Sequence, residues 1–138
     1  MPRRPPARVR AQQPRRLSPW RATFLPRIPG ASGALQAAVV RLEHADARLT
    51  PGDIAQAFTQ WRRWVHRPVR QLSTGAGSCP CPSCGTWSRE VLERTAHRLP
   101  PRQARELRRL LEPLDERFLS RTVPVPARFE HRWWAYRA

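Results

Sequence analysis

Apolar positions in this chain return every three to four residues in four separate stretches, and nowhere alternate with the period of two that a strand needs. In the first stretch Leu35, Ala38, Val39, Leu42, Ala45 and Leu49 fall on one arc at ~100° per residue. That arc predicts a helix over 34–49, with Arg41, His44 and Arg48 on the opposite, solvated side. Thr50-Pro51-Gly52-Asp53 then reads as a helix start: Thr50 caps, Pro51 takes the first helical position and Asp53 complements the dipole. The helix it opens runs to about His66 and turns Ile54, Ala57, Phe58, Trp61, Trp64 and Val65 into one sector.

The same register decides how Trp61-Arg62-Arg63-Trp64 is read. Interleaved rings and guanidiniums resemble a nucleic-acid-binding stripe, but both tryptophans fall on the apolar sector and the arginines point elsewhere, so core packing is expected. A third helix follows Gly85, capped by Thr86 or Ser88, and buries Val91, Leu92, Thr95, Ala96 and Leu99. A fourth begins near Pro101 and buries Ala104, Leu107, Leu110, Leu111, Leu114 and Phe118, with Pro113 expected to kink or split it. Val123-Pro124-Val125-Pro126 is extended, and the aromatic end containing Trp133 and Trp134 is expected to fold back as a lid. The fold class is all-α, a small helical bundle.

Composition divides the 138 residues unevenly. Residues 1–30 hold seven prolines and eight arginines without one acid, and are expected to form a disordered basic arm; residues 31–138 form the helical domain. All 26 basic residues are arginine, as codon bias in a high-GC genome would give, and the net charge of +16 is shared equally between arm and domain. A field of this sign attracts nucleic acid. No apolar run approaches the ~20 residues of a membrane span, so no membrane association is expected.

All three cysteines lie in Cys79-Pro80-Cys81-Pro82-Ser83-Cys84, a knuckle over residues 79–85 whose spacing aims soft sulfur ligands at one ion. An odd cysteine count fits a reducing compartment, with cytoplasm as the expectation, and zinc as the cofactor. Structural zinc wants a fourth ligand. His66, at a helix end followed by a slack linker, ranks first, then His97 and His131, with Glu90 or water behind. A two-Cys, two-His finger ending at His97 fails for want of a second histidine and of a strand. The competing reading makes Cys81 and Cys84 a thiol redox couple, which normally needs a βαβ setting.

Arg98, Arg102, Arg105 and Arg109 form a basic stripe nearly opposite Leu107, Leu111 and Phe118, ended by Glu112 and Glu116, with Arg102–Glu106 and Arg108–Glu112 as i,i+4 partners. Four guanidiniums on one face suit a DNA or RNA backbone. No catalytic constellation stands out, and a non-enzymatic role is expected. The alternative is a protein-interaction adaptor that uses the C-terminal aromatics.

Two likenesses attach to these residues. Cys81-Pro82-Ser83-Cys84-Gly85 is similar to the C-P-x-C-G knuckle of zinc-ribbon modules, which pair two knuckles where this chain has one; the likeness implies a zinc site and no more. The run from Cys79 to Pro124, with Leu99-Pro100-Pro101-Arg102 and Pro113-Leu114-Asp115-Glu116-Arg117, resembles small CPCPxCG-containing, arginine-rich proteins of high-GC bacteria that have no known activity. This second likeness covers about a third of the chain and implies a helical architecture with a zinc knuckle.

Overall fold

A computed structural model describes residues 26–72, 85–123 and 133–134. It places helices α1 (Gly33–Ala45), α2 (Asp53–Val65), α3 (Gly85–Arg98) and α4 (Pro101–Arg121), with a single 3-10 turn at Val69–Gln71. Among the described residues there is no strand, and the all-α bundle expected from periodicity is what forms.

Each helix start has a local cause. Ser32 caps α1 by accepting the Leu35 N–H at 3.1 Å. The helix stops at Ala45, short of the expected 49, because the Asp46 carboxylate accepts the Arg48 N–H at 3.0 Å and turns the backbone aside. Leu49 still packs against the core from outside the helix.

The α2 start departs from expectation. Its N-cap is Gly52, at a left-handed φ of 97°, and Thr50 donates its N–H and hydroxyl to the Asp53 carboxylate, both at 2.7 Å. The first N–H groups of α2 are satisfied from α1 instead: the buried Glu43 carboxylate accepts from Gly52 at 2.9 Å and Ile54 at 3.0 Å. A Cβ at position 52 would sit 2.8 Å from the Pro26 ring, so both backbone angle and packing require glycine there.

Two contacts fix the direction of α3 on α2, the most extensive helix pairing in the fold. Ser88, expected as a cap, lies inside α3 and donates its hydroxyl to Gln60 of α2 at 2.9 Å. At the other end Arg98 is paired with Asp46, the C-cap of α1, whose last turn meets the start of α2 through Glu43. The helices are therefore antiparallel, and the α3 start lies at the same end as the close of α2. Arg121, in the last turn of α4, donates to the carbonyls of Val65 (2.7 Å) and Arg67 (2.8 Å), which brings the end of α4 to that same end.

Trp61 and Phe118 pack together within the core, ring centroids 5.1 Å apart, and share one buried cluster with Leu35, Ile54, Leu92, Leu107 and Leu111. Trp61 is wholly buried and Trp64 partly so, as the register predicts. The apolar sides expected for α3 and α4 are the ones buried, with Leu110 at their margin. Pro113 does not split α4, which continues through it from Pro101 to Arg121. The ring is exposed, and buried Leu111 and Leu114 anchor the turns on either side; only the N–H that would have bonded the Arg109 carbonyl is lost. Ile28 is 2% exposed, so core packing begins before the expected boundary at residue 30. Residues 1–25 of the expected arm lie outside the described residues. No described helix is long and apolar enough to cross a membrane.

Candidate functional site

The basic stripe is assembled from two helices. Arg102, Arg105 and Arg109 follow one another at three- and four-residue steps on the exposed side of α4, around a concavity of about 440 Å³ shared with Glu106. Arg98 is not part of that register: it closes α3 and is held by Asp46. The Asp46 carboxyl lies below its ordinary value, first because it accepts the Arg48 N–H and then because of Arg98.

The expected Arg102–Glu106 and Arg108–Glu112 pairs do not form. Glu106 is committed across the bundle, accepting the Ser32 N–H at 2.7 Å and the Ser32 hydroxyl at 2.8 Å. Among the described residues no carboxylate pairs with Arg102, Arg105 or Arg109. The three cations keep their charge available to an external anion.

Cys79, Cys81, Cys84 and His131 lie outside the described residues. Among the described residues no three His, Cys, Asp or Glu side chains gather as a metal site. Two of the candidate histidines can be compared directly. Helix α3 opens at Gly85, immediately after Cys84 in sequence, so His97 stands twelve residues along it, about 18 Å from that start. His97 is instead engaged by Glu93, Nε2 to Oε1 at 3.1 Å. His66 caps α2 at the end of the bundle where α3 begins, and its Nδ1 lies 2.7 Å from the Arg62 carbonyl. A carbonyl only accepts, so Nδ1 carries the proton and the Nε2 lone pair of the neutral ring is left for a ligand.

A cluster that sequence reasoning missed lies between α3 and α4. Arg89 is 6% exposed, and it donates from Nε to both Asp115 oxygens (3.1 and 3.2 Å), from Nη2 to Oδ2 (3.0 Å) and from Nη1 to Glu93 (2.8 Å). Trp61 adds its indole N–H to Asp115 at 2.9 Å. Trp134 and Trp133 cover the guanidinium, 4.8 and 5.4 Å from ring centre to charge. The aromatic lid is thus present at these two residues. Trp134 is 5% exposed and Trp133 partly exposed, while Phe129 and Tyr136 of the same aromatic end lie outside the described residues.

A second omission is a groove of about 730 Å³ between the end of α1, the turn after it and α3. Leu42, Leu49, Trp87 and Val91 give it an apolar wall, and Arg48, Arg94 and Arg98 line its edge. Helical spacing on α3 could have flagged Trp87, Val91 and Arg94, but only the tertiary fold brings Arg48 opposite them. Compared with protein-family models, curated proteins and solved structures, the chain matches none.

Proposed function

We propose that this protein binds nucleic acid without catalysis, through the arginine face of α4, with a zinc ion on the cysteine knuckle stabilising one end of the bundle. The observation that carries the reading is the diversion of Glu106 to Ser32, which leaves Arg102, Arg105 and Arg109 exposed and without a carboxylate partner among the described residues. Arg98 stands near the row with its charge partly answered by Asp46. Guanidiniums bind phosphate as planar forks and hold their charge at any physiological pH, so such a row reads a backbone rather than a sequence.

The zinc part rests on the C-x-C-x-x-C spacing of Cys79, Cys81 and Cys84 and on the tautomer of His66, whose Nδ1–H is occupied by a backbone carbonyl as in most metal-bound histidines. Thiolates of this kind persist in a reducing compartment, and the cytoplasm is the proposed location.

The test is a salt titration of binding to DNA and RNA. Wild type should lose affinity linearly in log salt, and an R102A/R105A/R109A variant should bind more weakly with a slope shallower by roughly 3. Absence of binding at low ionic strength removes the proposal.

A further inference from the structure

The groove between α1 and α3 has a chemistry that the arginine face of α4 lacks. At about 730 Å³ it falls within the ~300–1,000 Å³ of ordinary small-ligand sites. One wall carries an aromatic side chain: Trp87 is partly exposed and lines the groove near the start of α3. Val91, Arg94 and Arg98 follow it along the same helix, so that Arg98 lies about 16 Å from Trp87. Arg48 completes the edge from the opposite side.

Charge selects the occupant. Three arginines line the groove against one acid, Asp46, whose carboxylate is already taken by the Arg98 side chain and the Arg48 N–H. Of the three arginines, Arg98 and Arg94 are already paired with Asp46 and Glu90, and among the described residues Arg48 alone has no paired carboxylate. A polyanion that carries flat apolar groups at intervals answers the edge and the wall together.

We infer that this groove seats an unpaired base of single-stranded nucleic acid against Trp87, with backbone phosphates meeting Arg48, Arg94 and Arg98. The inference rests on the nucleic-acid reading above and adds the strand state to it. A base within a duplex is stacked on its neighbours and has no face to offer; an unpaired base does, and stacking on one aromatic side chain contributes about 1–3 kcal/mol. The groove supplies recognition of strandedness, and the α4 row supplies phosphate affinity common to both forms.

Fluorescence anisotropy with a short labelled oligopyrimidine tests this, using DNA and RNA strands, the matching duplexes, and an abasic strand of equal length. The base-bearing strand should bind more tightly than either the duplex or the abasic strand. Trp87→Leu should weaken single-strand binding on the order of tenfold and leave duplex binding unchanged, while Trp87→Phe, which keeps a ring, should retain most of it. Arg48→Gln, an exposed change that breaks no ion pair among the described residues and sets no like charge beside Asp46, should weaken single-strand binding with the thermal midpoint little changed. Equal binding of abasic and base-bearing strands, or a silent Trp87→Leu beside intact binding by the arginine row, overturns the base seat alone. Failure of wild type to bind strand or duplex overturns both readings.

Discussion

Arg89 grips Asp115 across the α3–α4 interface with both carboxylate oxygens engaged, beneath a roof of Trp133 and Trp134. A buried ion pair is costly to assemble and costlier to break, since removing one partner strands the other's charge away from water. Asp115→Ala leaves Arg89 with Glu93 alone and Trp61 without its acceptor, and should destabilise the fold by about 1–3 kcal/mol in urea unfolding. Replacing both groups, as in R89M/D115L, should recover much of that loss. Equal losses from the single and double variants would contradict this account.

The two acids around Arg89 titrate in opposite senses. Burial raises Glu93, but the Arg89 hydrogen bond and charge, together with the charges of His97 and Arg108, outweigh it and the carboxyl lies below its ordinary 4.5. A carboxyl lowered in the folded state adds stability above its unfolded value and loses it as pH falls through the folded one. The stability gap between wild type and Glu93→Gln should thus narrow on acidification below 4.5. Asp115 lies above its ordinary 3.8, burial prevailing over Arg89, so its stability term declines as pH rises from 3.8 through the folded value. The pH dependence of the gap to Asp115→Asn should have the reverse slope, read from urea melts across the acid range.

Glu43 accounts for the first turn of α2 from another helix. Glu43→Ala leaves the Gly52 and Ile54 N–H groups without their acceptor and should cost about 1–3 kcal/mol. Hydrogen exchange should localise the loss to the first turn of α2.

Ser32 couples stability to the proposed interface. Ser32→Ala removes an N-cap, worth about 1 kcal/mol, and one of the two bonds that hold Glu106. A loosened Glu106 is four residues from Arg102 and should partly neutralise it, giving weaker nucleic-acid binding at low salt. Unchanged affinity would show that the Glu106 commitment has no bearing on the arginine face.

Purified protein should carry stoichiometric zinc, and Cys84→Ser should lose it together with helical circular dichroism. His66→Gln should lower zinc affinity, and His97→Gln should not, because α3 carries His97 away from the cysteine-adjacent helix start.

What could be read from the sequence follows from how local each cause is. The buried sides of α3 and α4 were legible because Val91, Leu92 and Ala96, or Leu107, Leu111 and Phe118, declare themselves by spacing alone. Trp61 was placed in the core by the same argument. Glu43 was not, because a buried acid makes sense only once the start of α2 is known to meet it. Arg89 was missed likewise: its partners Asp115, Trp133 and Trp134 come from distant positions. The arginine row was visible, but the absence of its expected i,i+4 partners was not, since Ser32 draws Glu106 away from 74 positions upstream. Of the kink or split expected at Pro113 the split does not occur, because tertiary anchoring by Leu111 and Leu114 overrides a local breaking tendency.

The grip of Arg121 on the Val65 and Arg67 carbonyls ties the exit of one rod to the tail of another. Fraying there would not stay local. The imidazole of His66 sits between those two anchored carbonyls in sequence, so shortening the longest helix by a single turn would loosen the very residue proposed to complete a metal's coordination. That one fastening between two helix ends therefore bears on the proposed ion as much as on the bundle.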